Sequence, residues 1–230
     1  APLSVIPDAE NGYYVLNNDR VVQLTGGRLV VPVALHHQPG WAKPDWAGEI
    51  TCYLSDDAGA TWRRCATRQK AFGPDQKRVV AQEPGVVELK DGRVLLFART
   101  NAGVQYLSWS ADRGETWSPL APSSISSPTS PASIERVPAT GDLLLVWNNH
   151  EKIPPELKGK RTPFTAAVSK DEGKTWTNVR VIEDDPTGWY CYTAIEFSGE
   201  HVLLGHCCRG LAASQITRFP VSWLYETAKP

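Results

Sequence analysis

The sequence predicts an all-β fold assembled from repeated β-sheet units. The first observation is a short motif, S-x-D-x-G-x-T-W, which begins at Ser55, Ser110 and Ser169. The second is a strand–turn–strand pattern that recurs between the copies of this motif, for example in residues 21–30 and 86–95. Self-similarity at a nearly constant interval is the sequence signature of repeat architectures. The third is the content of 18 glycines and 18 prolines, which suits many short strands and turns.

Each conserved letter of the repeated motif has a physical role in a turn. Aspartate folds its carboxylate back onto backbone N–H groups of a tight turn. Glycine supplies the positive φ that such a turn needs. Tryptophan begins the next strand and buries a large flat surface. The motif therefore predicts a structural hairpin turn between two strands.

The strand–turn–strand pattern occurs four times, in residues 21–30, 86–95, 134–145 and 194–204. Each copy has a β-branched run, a glycine or polar turn and a second apolar run, which predicts a pair of strands. Together with the strands that flank the motif, this gives four strands per unit, as in a propeller blade. The fourth unit lacks the motif, and residues 215–219 and 221–225 are predicted to supply its outer strands.

The repeats extend through nearly the whole chain, so we interpret residues 1–230 as a single domain. The Ser/Pro-rich stretch 122–131 is predicted to be a loop between blades, and the alternative is a linker between domains. The net charge of −1 gives no basic field to recruit nucleic acid, and no apolar run reaches membrane-spanning length. We therefore expect neither a nucleic acid nor a membrane as a partner. We also expect no metal or other cofactor, because the histidines lack partners at ligand spacing.

The repeated motif resembles the Asp box, or BNR repeat, of the sialidase (neuraminidase) family. The resemblance implies a β-propeller of the six-bladed sialidase type, of which about four blades are present in this chain. It also implies an exo-α-sialidase, a glycoside hydrolase that acts with retention on terminal sialic acid or a related acidic sugar. Sialylated or acidic-sugar glycans are then the expected substrates.

Four residues match the family's site by their position relative to the Asp boxes and strand pairs. The resemblance implies that Tyr192 is the catalytic nucleophile and that Glu83 is its base partner. It implies that Arg99 and Arg161 are two of the three arginines that bind the carboxylate of sialic acid. Each also has a structural interpretation: the arginines as ordinary strand-end residues, Glu83 as a loop residue, and Tyr192 as core packing.

These residue types suit a sugar that carries a carboxylate on its anomeric carbon. Arginine presents a planar fork that binds a carboxylate through two hydrogen bonds. A carboxylate nucleophile would be repelled by the substrate anion, whereas a neutral tyrosine is not, and sialidases are known for a tyrosine nucleophile. The phenol needs a base to take its proton, and nearby arginines favour its ionised form.

Two further residues are expected to contact the sugar. Arg20 lies where the family's chain enters the site, and His36 lies where sialidases often carry tyrosines that touch the sugar. The family's general-acid aspartate and remaining carboxylate-binding arginine belong to a first blade that has no counterpart in this sequence. We therefore expect about two N-terminal blades to be missing, with the ring completed by an N-terminal segment or by another chain, as in an oligomer.

Two other functions stay open at this level. Asp boxes are structural turns and occur in propellers that only bind sugars or proteins, so a non-catalytic binding propeller is the alternative. A hydrolase or lyase that acts on another acidic sugar through the same arginines is the third hypothesis.

Overall fold

The computed structural model describes residues 4–209 and 212–226. It consists of antiparallel β-sheets and short 3₁₀ helices, which confirms the predicted all-β class. The chain divides into two compact units, Ala1–Ser124 and Ile125–Pro230. Each unit contains two of the four sheets that the repeats predict. The interpretation of residues 1–230 as a single domain stays a prediction.

The first unit carries two large sheets and a small hairpin. Its strands are β1 (Tyr13–Val15), β2 (Val22–Gln23), β3 (Leu29–His37), β4 (Glu49–Ser55), β5 (Arg63–Arg64), β6 (Ala71–Phe72), β7 (Arg78–Val79), β8 (Ala81–Glu88), β9 (Val94–Thr100), β10 (Val104–Ser110) and β11 (Ala121–Ser126). The first sheet has the order β1-β3-β4-β5, with β2 also paired to β3. The second has the order β8-β9-β10-β11, and β6 pairs with β7. A 3₁₀ turn, Asp8–Glu10, precedes the first strand.

The second unit carries the other two sheets. Its strands are β12 (Ser133–Arg136), β13 (Leu143–Asn148), β14 (Phe164–Ser169), β15 (Thr177–Glu183), β16 (Cys191–Ser198), β17 (His201–Cys207) and β18 (Ser214–Pro220). The third sheet has the order β12-β13-β14-β15 and the fourth has the order β16-β17-β18. Short 3₁₀ helices lie at Pro155–Leu157 and Val221–Tyr225. Each of the four predicted strand–turn–strand pairs is present as an antiparallel pair.

One strand that the sequence predicts at the outer edge of the fourth sheet is wrong. Residues 215–219 lie in β18, as predicted, but the 3₁₀ helix Val221–Tyr225 takes the place of the last strand. Pro220 fixes its own φ and has no N–H to donate to a neighbouring strand. Val221 and Leu224 are three residues apart, so both fall on the same side of a 3₁₀ helix, and both are buried.

The predicted loop over residues 122–131 is also partly wrong. Its first half belongs to β11, the outermost strand of the second sheet, and the interval before β12 is shorter than predicted. An edge strand tolerates proline because one row of its N–H groups faces away from the sheet. Pro122 is exposed, and side chains along β11 alternate in burial as on the outer strand of a sheet.

Each unit buries an apolar core between its two sheets. In the first unit the core joins residues of β3 and β4 to residues of β8 and β9, with Tyr106 and Trp117 at its edge. In the second unit it joins β13 and β14 to β16 and β17, and it includes Val221 and Leu224. Middle strands such as β13 are buried on both faces, which explains why their sequences are continuous apolar runs.

The Asp boxes form the hairpins between the third and fourth strands of the first three sheets. In the first box, the Ser55 hydroxyl donates to the Asp57 carboxylate (2.8 Å) and accepts from the Gly59 N–H (2.8 Å). The same carboxylate accepts from the backbone and the hydroxyl of Thr61 (2.8 and 2.6 Å). The boxes that begin at Ser110 and Ser169 repeat this set of bonds.

The structure adds one feature that the motif did not predict. The residue before the glycine also has a positive φ in every box: 57° at Ala58, 59° at Arg113 and 62° at Glu172. Two consecutive left-handed residues turn backbone N–H groups to the inside of the turn, where the serine hydroxyl accepts from the glycine N–H and the aspartate accepts from the threonine N–H. The hydrogen bonds from Thr61 and Ser55 lower the pKa of Asp57 to about 2, and those from Thr175 and Ser169 do the same for Asp171.

Removal of these carboxylates is expected to change stability in acid. A depressed pKa stabilises the fold above the ordinary aspartate pKa of about 3.9, and this contribution is lost as the pH falls through the folded-state value. The double variant Asp57→Ala/Asp171→Ala should melt several degrees below the parent at pH 7. Between pH 4 and pH 2 its melting temperature should fall less steeply than the parent's, as followed by circular dichroism. Glu196→Ala, at an exposed position outside the hairpins, is the control. Parallel curves for parent and double variant would contradict this role.

Candidate functional site

Glu83 lies in a β-bulge near the start of β8, the first strand of the second sheet. Gln82 pairs with Arg99 and Gly85 pairs with Phe97, so β8 holds one extra residue between these pairs. Glu83 has a φ of 50°, in the left-handed region that non-glycine residues seldom occupy. Bulges re-aim side chains, and such backbone outliers cluster at functional sites. The local backbone therefore gives Glu83 an orientation that a regular strand would not.

Glu83 and Arg99 form a direct ion pair. Nη1 of Arg99 donates to Oε1 of Glu83 at 2.7 Å. Both side chains are largely buried, with 11% of the Glu83 side chain and 15% of the Arg99 side chain exposed. Loss of one partner of a buried pair leaves an uncompensated charge, so the pair holds both groups in place. The structure thus brings the predicted base and one predicted carboxylate-binding arginine together.

Arg20 is packed next to this pair through Phe97. Arg20 is buried, follows Asp19 with its φ of 57°, and lies in the irregular segment between β1 and β2. Its guanidinium carbon is 5.4 Å from the centre of the Phe97 ring. The ring occupies the space above Gly85, where a Cβ atom would lie 2.3 Å from Cζ of Phe97. Gly85 is therefore needed for close packing, and Phe97 supports the arginine.

His36 is buried and belongs to an aromatic cluster of the first sheet. Its Nδ1 lies 2.8 Å from the backbone carbonyl of Asp45, so Nδ1 carries the proton and donates. Its ring lies 5.7 Å from the ring of Tyr13 and 5.9 Å from that of Trp46. The sequence predicts a direct sugar contact for His36, and that role stays a prediction. The structure places the histidine beneath the more exposed rings of Tyr13 and Trp46.

Tyr192 occupies the matching bulge of the fourth sheet. Cys191 pairs with Cys207 and Ala194 pairs with Gly205, so β16 holds one extra residue between these pairs. Tyr192 has a φ of 56°. The first strands of the second and fourth sheets thus share a one-residue bulge with a left-handed residue at the same position. The two predicted catalytic residues occupy these equivalent positions.

Arg161 lies against Tyr192 in the second unit. It is buried, and its guanidinium carbon is 5.2 Å from the centre of the Tyr192 ring and 4.7 Å from that of the Trp189 ring. It also donates to the sulfur of Cys191 at 2.8 Å. In the described part of the chain, no carboxylate forms an ion pair with Arg161. The arrangement is a buried cation that faces aromatic rings and a thiol.

The charge state of this group follows from its neighbours. Burial lowers the pKa of Arg161, but Cys191 and Tyr192 outweigh that effect and the net change is upward. Burial raises the pKa of the Cys191 thiol to about 11, so the thiol is neutral at neutral pH.

Sequence reasoning missed the residues that hold Arg161 in place. Trp189 and Cys191 lie within three residues of Tyr192, and the sequence assigns neither of them a role. The structure separates the roles in this segment. Tyr190 is the core residue, because it is buried and its ring stacks on Phe164 at 5.7 Å. Tyr192 is partly exposed and contacts the arginine. Residues two apart on a regular strand share a face, so the sequence alone gives Tyr190 and Tyr192 the same direction. The bulge at Tyr192 separates their roles, and the sequence does not reveal it.

A cavity of about 380 Å³ opens beside Tyr192. Its walls are formed by Tyr192, Gly205, His206, Cys207, Ser214, Gln215 and Ile216. A larger cleft of about 460 Å³ lies against β15 and the loop before β14, and Tyr192 does not line it. Arg161 lines neither of these two cavities. We assign the smaller cavity to the candidate site because it contains the predicted nucleophile.

The predicted site residues fall into two groups, one in each compact unit. The first unit holds Glu83, Arg99 and Arg20, and the second holds Arg161 and Tyr192. Within residues 4–209 and 212–226, no group of three or more histidine, cysteine, aspartate or glutamate side chains is placed to hold a metal ion. Nor does any helix in these ranges have the length and apolarity to cross a membrane.

The sheets and Asp boxes define the class of the protein, an Asp-box β-propeller of the sialidase type. The model of the BNR repeat-like domain matches residues 10–203, and the chain belongs to that family. A curated relative, a sialidase from Micromonospora viridifaciens, is 29% identical over 214 residues. The match covers 89% of this chain and 29% of the relative, so the chain spans less than a third of that protein.

Solved structures show the same fold at low sequence identity. The intramolecular trans-sialidase from Ruminococcus gnavus, in complex with oseltamivir carboxylate, matches 94% of this chain and 46% of its own with a TM-score of 0.67 and 20% identity. The Trypanosoma rangeli sialidase, in complex with 2,3-difluorosialic acid as a covalent intermediate, matches 97% of this chain and 34% of its own. That match has a TM-score of 0.67 and 15% identity. The sialidase propeller fold of the chain is therefore shown.

The packing of Phe97 over Gly85 generates a prediction about stability. A methyl group at position 85 would collide with the Phe97 ring, which packs under Arg20. Gly85→Ala should therefore lower the free energy of unfolding by about 1–3 kcal/mol, measured by denaturant unfolding. The additional change Phe97→Leu should recover part of this loss. Gly205→Ala is the matched control, because a Cβ atom there meets no atom within 4 Å. Equal stability of Gly85→Ala and the parent would contradict the packing account.

Proposed function

We propose that this chain carries the part of a retaining exo-α-sialidase site that binds the carboxylate of sialic acid and supplies the nucleophile. The observation that carries the proposal is the buried Arg161, which faces Tyr192 and pairs with no carboxylate in the described residues. Buried charges are normally paired. An anionic ligand bound beside Tyr192 would supply the missing partner.

The proposed substrate suits this arrangement because its carboxylate is attached to the reacting carbon. A carboxylate held by the fork of Arg161 would place the anomeric carbon next to Tyr192. A phenol of Tyr192 approaches that carbon without charge repulsion. The neighbouring guanidinium of Arg161 stabilises the phenolate as the proton leaves.

The proposed reaction has two displacements. In the first, the Tyr192 oxygen bonds to the anomeric carbon, the bond to the leaving oxygen breaks, and the phenol proton passes to Glu83. The leaving oxygen takes its proton from an acid that the family resemblance assigns to a different part of the propeller. In the second, water attacks the anomeric carbon and gives a proton to the now deprotonated acid, while the Tyr192 oxygen leaves and regains its proton from Glu83. Two inversions give net retention.

The comparisons support this proposal at the level of the family. The curated relative is named a sialidase, and the Trypanosoma rangeli enzyme was solved as a covalent intermediate with a fluorinated sialic acid. The bulges at Glu83 and Tyr192 also support it, since strained backbone tends to occur at functional sites.

One observation favours the alternative of a non-catalytic sugar-binding propeller. Glu83 already accepts a hydrogen bond of 2.7 Å from Arg99, so one oxygen of the proposed base is engaged. A binding protein needs the arginines but no base. The two functions differ in whether Glu83→Gln and Tyr192→Phe abolish turnover of an aryl sialoside or leave only ligand affinity to measure.

Replacement of the proposed carboxylate-binding arginine tests both functions. Arg161→Lys keeps the charge but removes the planar fork, so the affinity for sialic acid should fall about tenfold or more, measured by calorimetry. Arg180→Lys is the matched control, because Arg180 also stacks on a tryptophan, Trp223, at 4.4 Å but lies on β15. The control should bind as the parent does. A folded Arg161→Lys variant with parental affinity would rule out the carboxylate-binding role.

A further inference from the structure

Two cysteines face each other across the fourth sheet. Cys191 on β16 pairs directly with Cys207 on β17. Directly opposite residues of an antiparallel pair have Cα atoms about 4.5–5.5 Å apart, and their side chains share a face of the sheet. A disulfide needs Cα atoms about 4.4–6.8 Å apart, so this pairing suits a bridge without a backbone shift. Both thiols are free in this structure, and they are hydrogen-bond partners.

The two thiols differ in their access to solvent. Cys207 is half-buried and forms part of the wall of the cavity of about 380 Å³. Cys191 is buried, with 1% of the residue exposed, and its sulfur accepts from Nη1 of Arg161 at 2.8 Å. A reagent in the cavity therefore meets Cys207 first, and Cys191 is the thiol behind it.

The remaining cysteines do not combine a facing partner with an open cavity. Cys208 follows Cys207, and neighbouring residues of an extended chain point to opposite faces. Its thiol donates to the backbone carbonyl of Ala213 at 3.7 Å. Cys52 and Cys65 are also neighbours, because the N–H of Cys65 donates to the carbonyl of Cys52 at 2.8 Å, but both are buried. This second pair is an internal control for access.

We propose that Cys191 and Cys207 are a modification site, a dithiol that a low-molecular-weight disulfide oxidises to an intramolecular disulfide. In the first step the Cys207 sulfur attacks one sulfur of the reagent, the reagent's S–S bond breaks, and one thiol leaves with the proton that Cys207 gives up. In the second step the Cys191 sulfur attacks the Cys207 sulfur of the mixed disulfide, and the second thiol leaves with the proton of Cys191. The protein loses two electrons, and the reagent is reduced to two thiols.

The redox state of this pair is coupled to Arg161. The hydrogen bond from Arg161 stabilises the reduced Cys191 sulfur, because a cation favours a thiol that can ionise over a disulfide sulfur that cannot. Such a coupling is reciprocal, so formation of the disulfide weakens the contact that holds the guanidinium beside Tyr192. Neither step needs a sugar ligand, so the pair is tested independently of the proposed function.

Peptide mapping of the parent protein tests the pair directly. The folded protein is equilibrated with mixtures of reduced and oxidised glutathione, quenched in acid, unfolded and alkylated. A protease that cleaves after glutamate separates the two cysteines, because Glu196 and Glu200 lie between them. Mass spectrometry should show the peptides of Cys191 and Cys207 joined, and dithiothreitol should release them. No joined peptides at any glutathione ratio would overturn the proposal.

The other thiols and two single variants test the order of the steps. Cys52, Cys65 and Cys208 should stay alkylated in the oxidised sample, and a disulfide confined to any of them would overturn the proposal. Cys191→Ser should retain glutathione on Cys207 as a stable mixed disulfide. Cys207→Ser should leave Cys191 unmodified in the folded protein, and rapid glutathionylation of Cys191 in that variant would contradict entry through Cys207.

A redox titration tests the coupling to Arg161. In Arg161→Gln the hydrogen bond from a cation is lost, so the disulfide should form in a more reducing buffer. The ratio of squared reduced to oxidised glutathione at half-oxidation should rise about tenfold. Arg180→Gln is the matched control, because Arg180 stacks on Trp223 and lies on β15. Equal midpoints for the parent and a folded Arg161→Gln variant would overturn the coupling.

Discussion

A one-residue bulge in the first strand of a sheet is the constraint on which the candidate site depends. In β8 and in β16 it forces a non-glycine residue into the left-handed region, and those residues are Glu83 and Tyr192. Such a backbone costs about 1–3 kcal/mol unless the surroundings hold it. The regular antiparallel pairings that follow each bulge, between β8 and β9 and between β16 and β17, provide that support. The strain is therefore confined to the bulge.

The two arginines nearest these residues are stabilised in different ways. Arg99 is neutralised by the Glu83 carboxylate at 2.7 Å, so its charge is satisfied within the protein. Arg161 rests on aromatic faces and on the neutral thiol of Cys191, which attract a cation but leave its charge uncompensated. Of the two arginines, Arg161 would therefore be stabilised more by a bound anion. In the proposed function, a substrate carboxylate would compete with Glu83 for Arg99 but would meet no such competitor at Arg161.

The sequence predicted what depends on local chemistry. The Asp-box turns and the paired strands could be found because each carries its own motif. Glu83 and Tyr192 were singled out only through the resemblance to the sialidase family, and the bulges that hold them were not predicted. The strand predicted at 221–225 was wrong because a proline and an i, i+3 apolar pair decide that segment. The residues that support Arg161 were not predicted. Their contacts depend on the side to which a bulge turns a side chain, and a bulge has no short sequence signal.

Mass spectrometry after incubation with 2,3-difluorosialic acid tests the central claim most directly. Fluoride at the anomeric carbon leaves with little help from an acid, so the attacking group is tested without the general acid. The account predicts a covalent adduct on the peptide that contains Tyr192, absent from Tyr192→Phe and retained in the control Tyr190→Phe, which alters only a core ring. An adduct on a different residue, or a parent that binds sialic acid yet forms no adduct, would contradict the assignment of Tyr192 as the nucleophile.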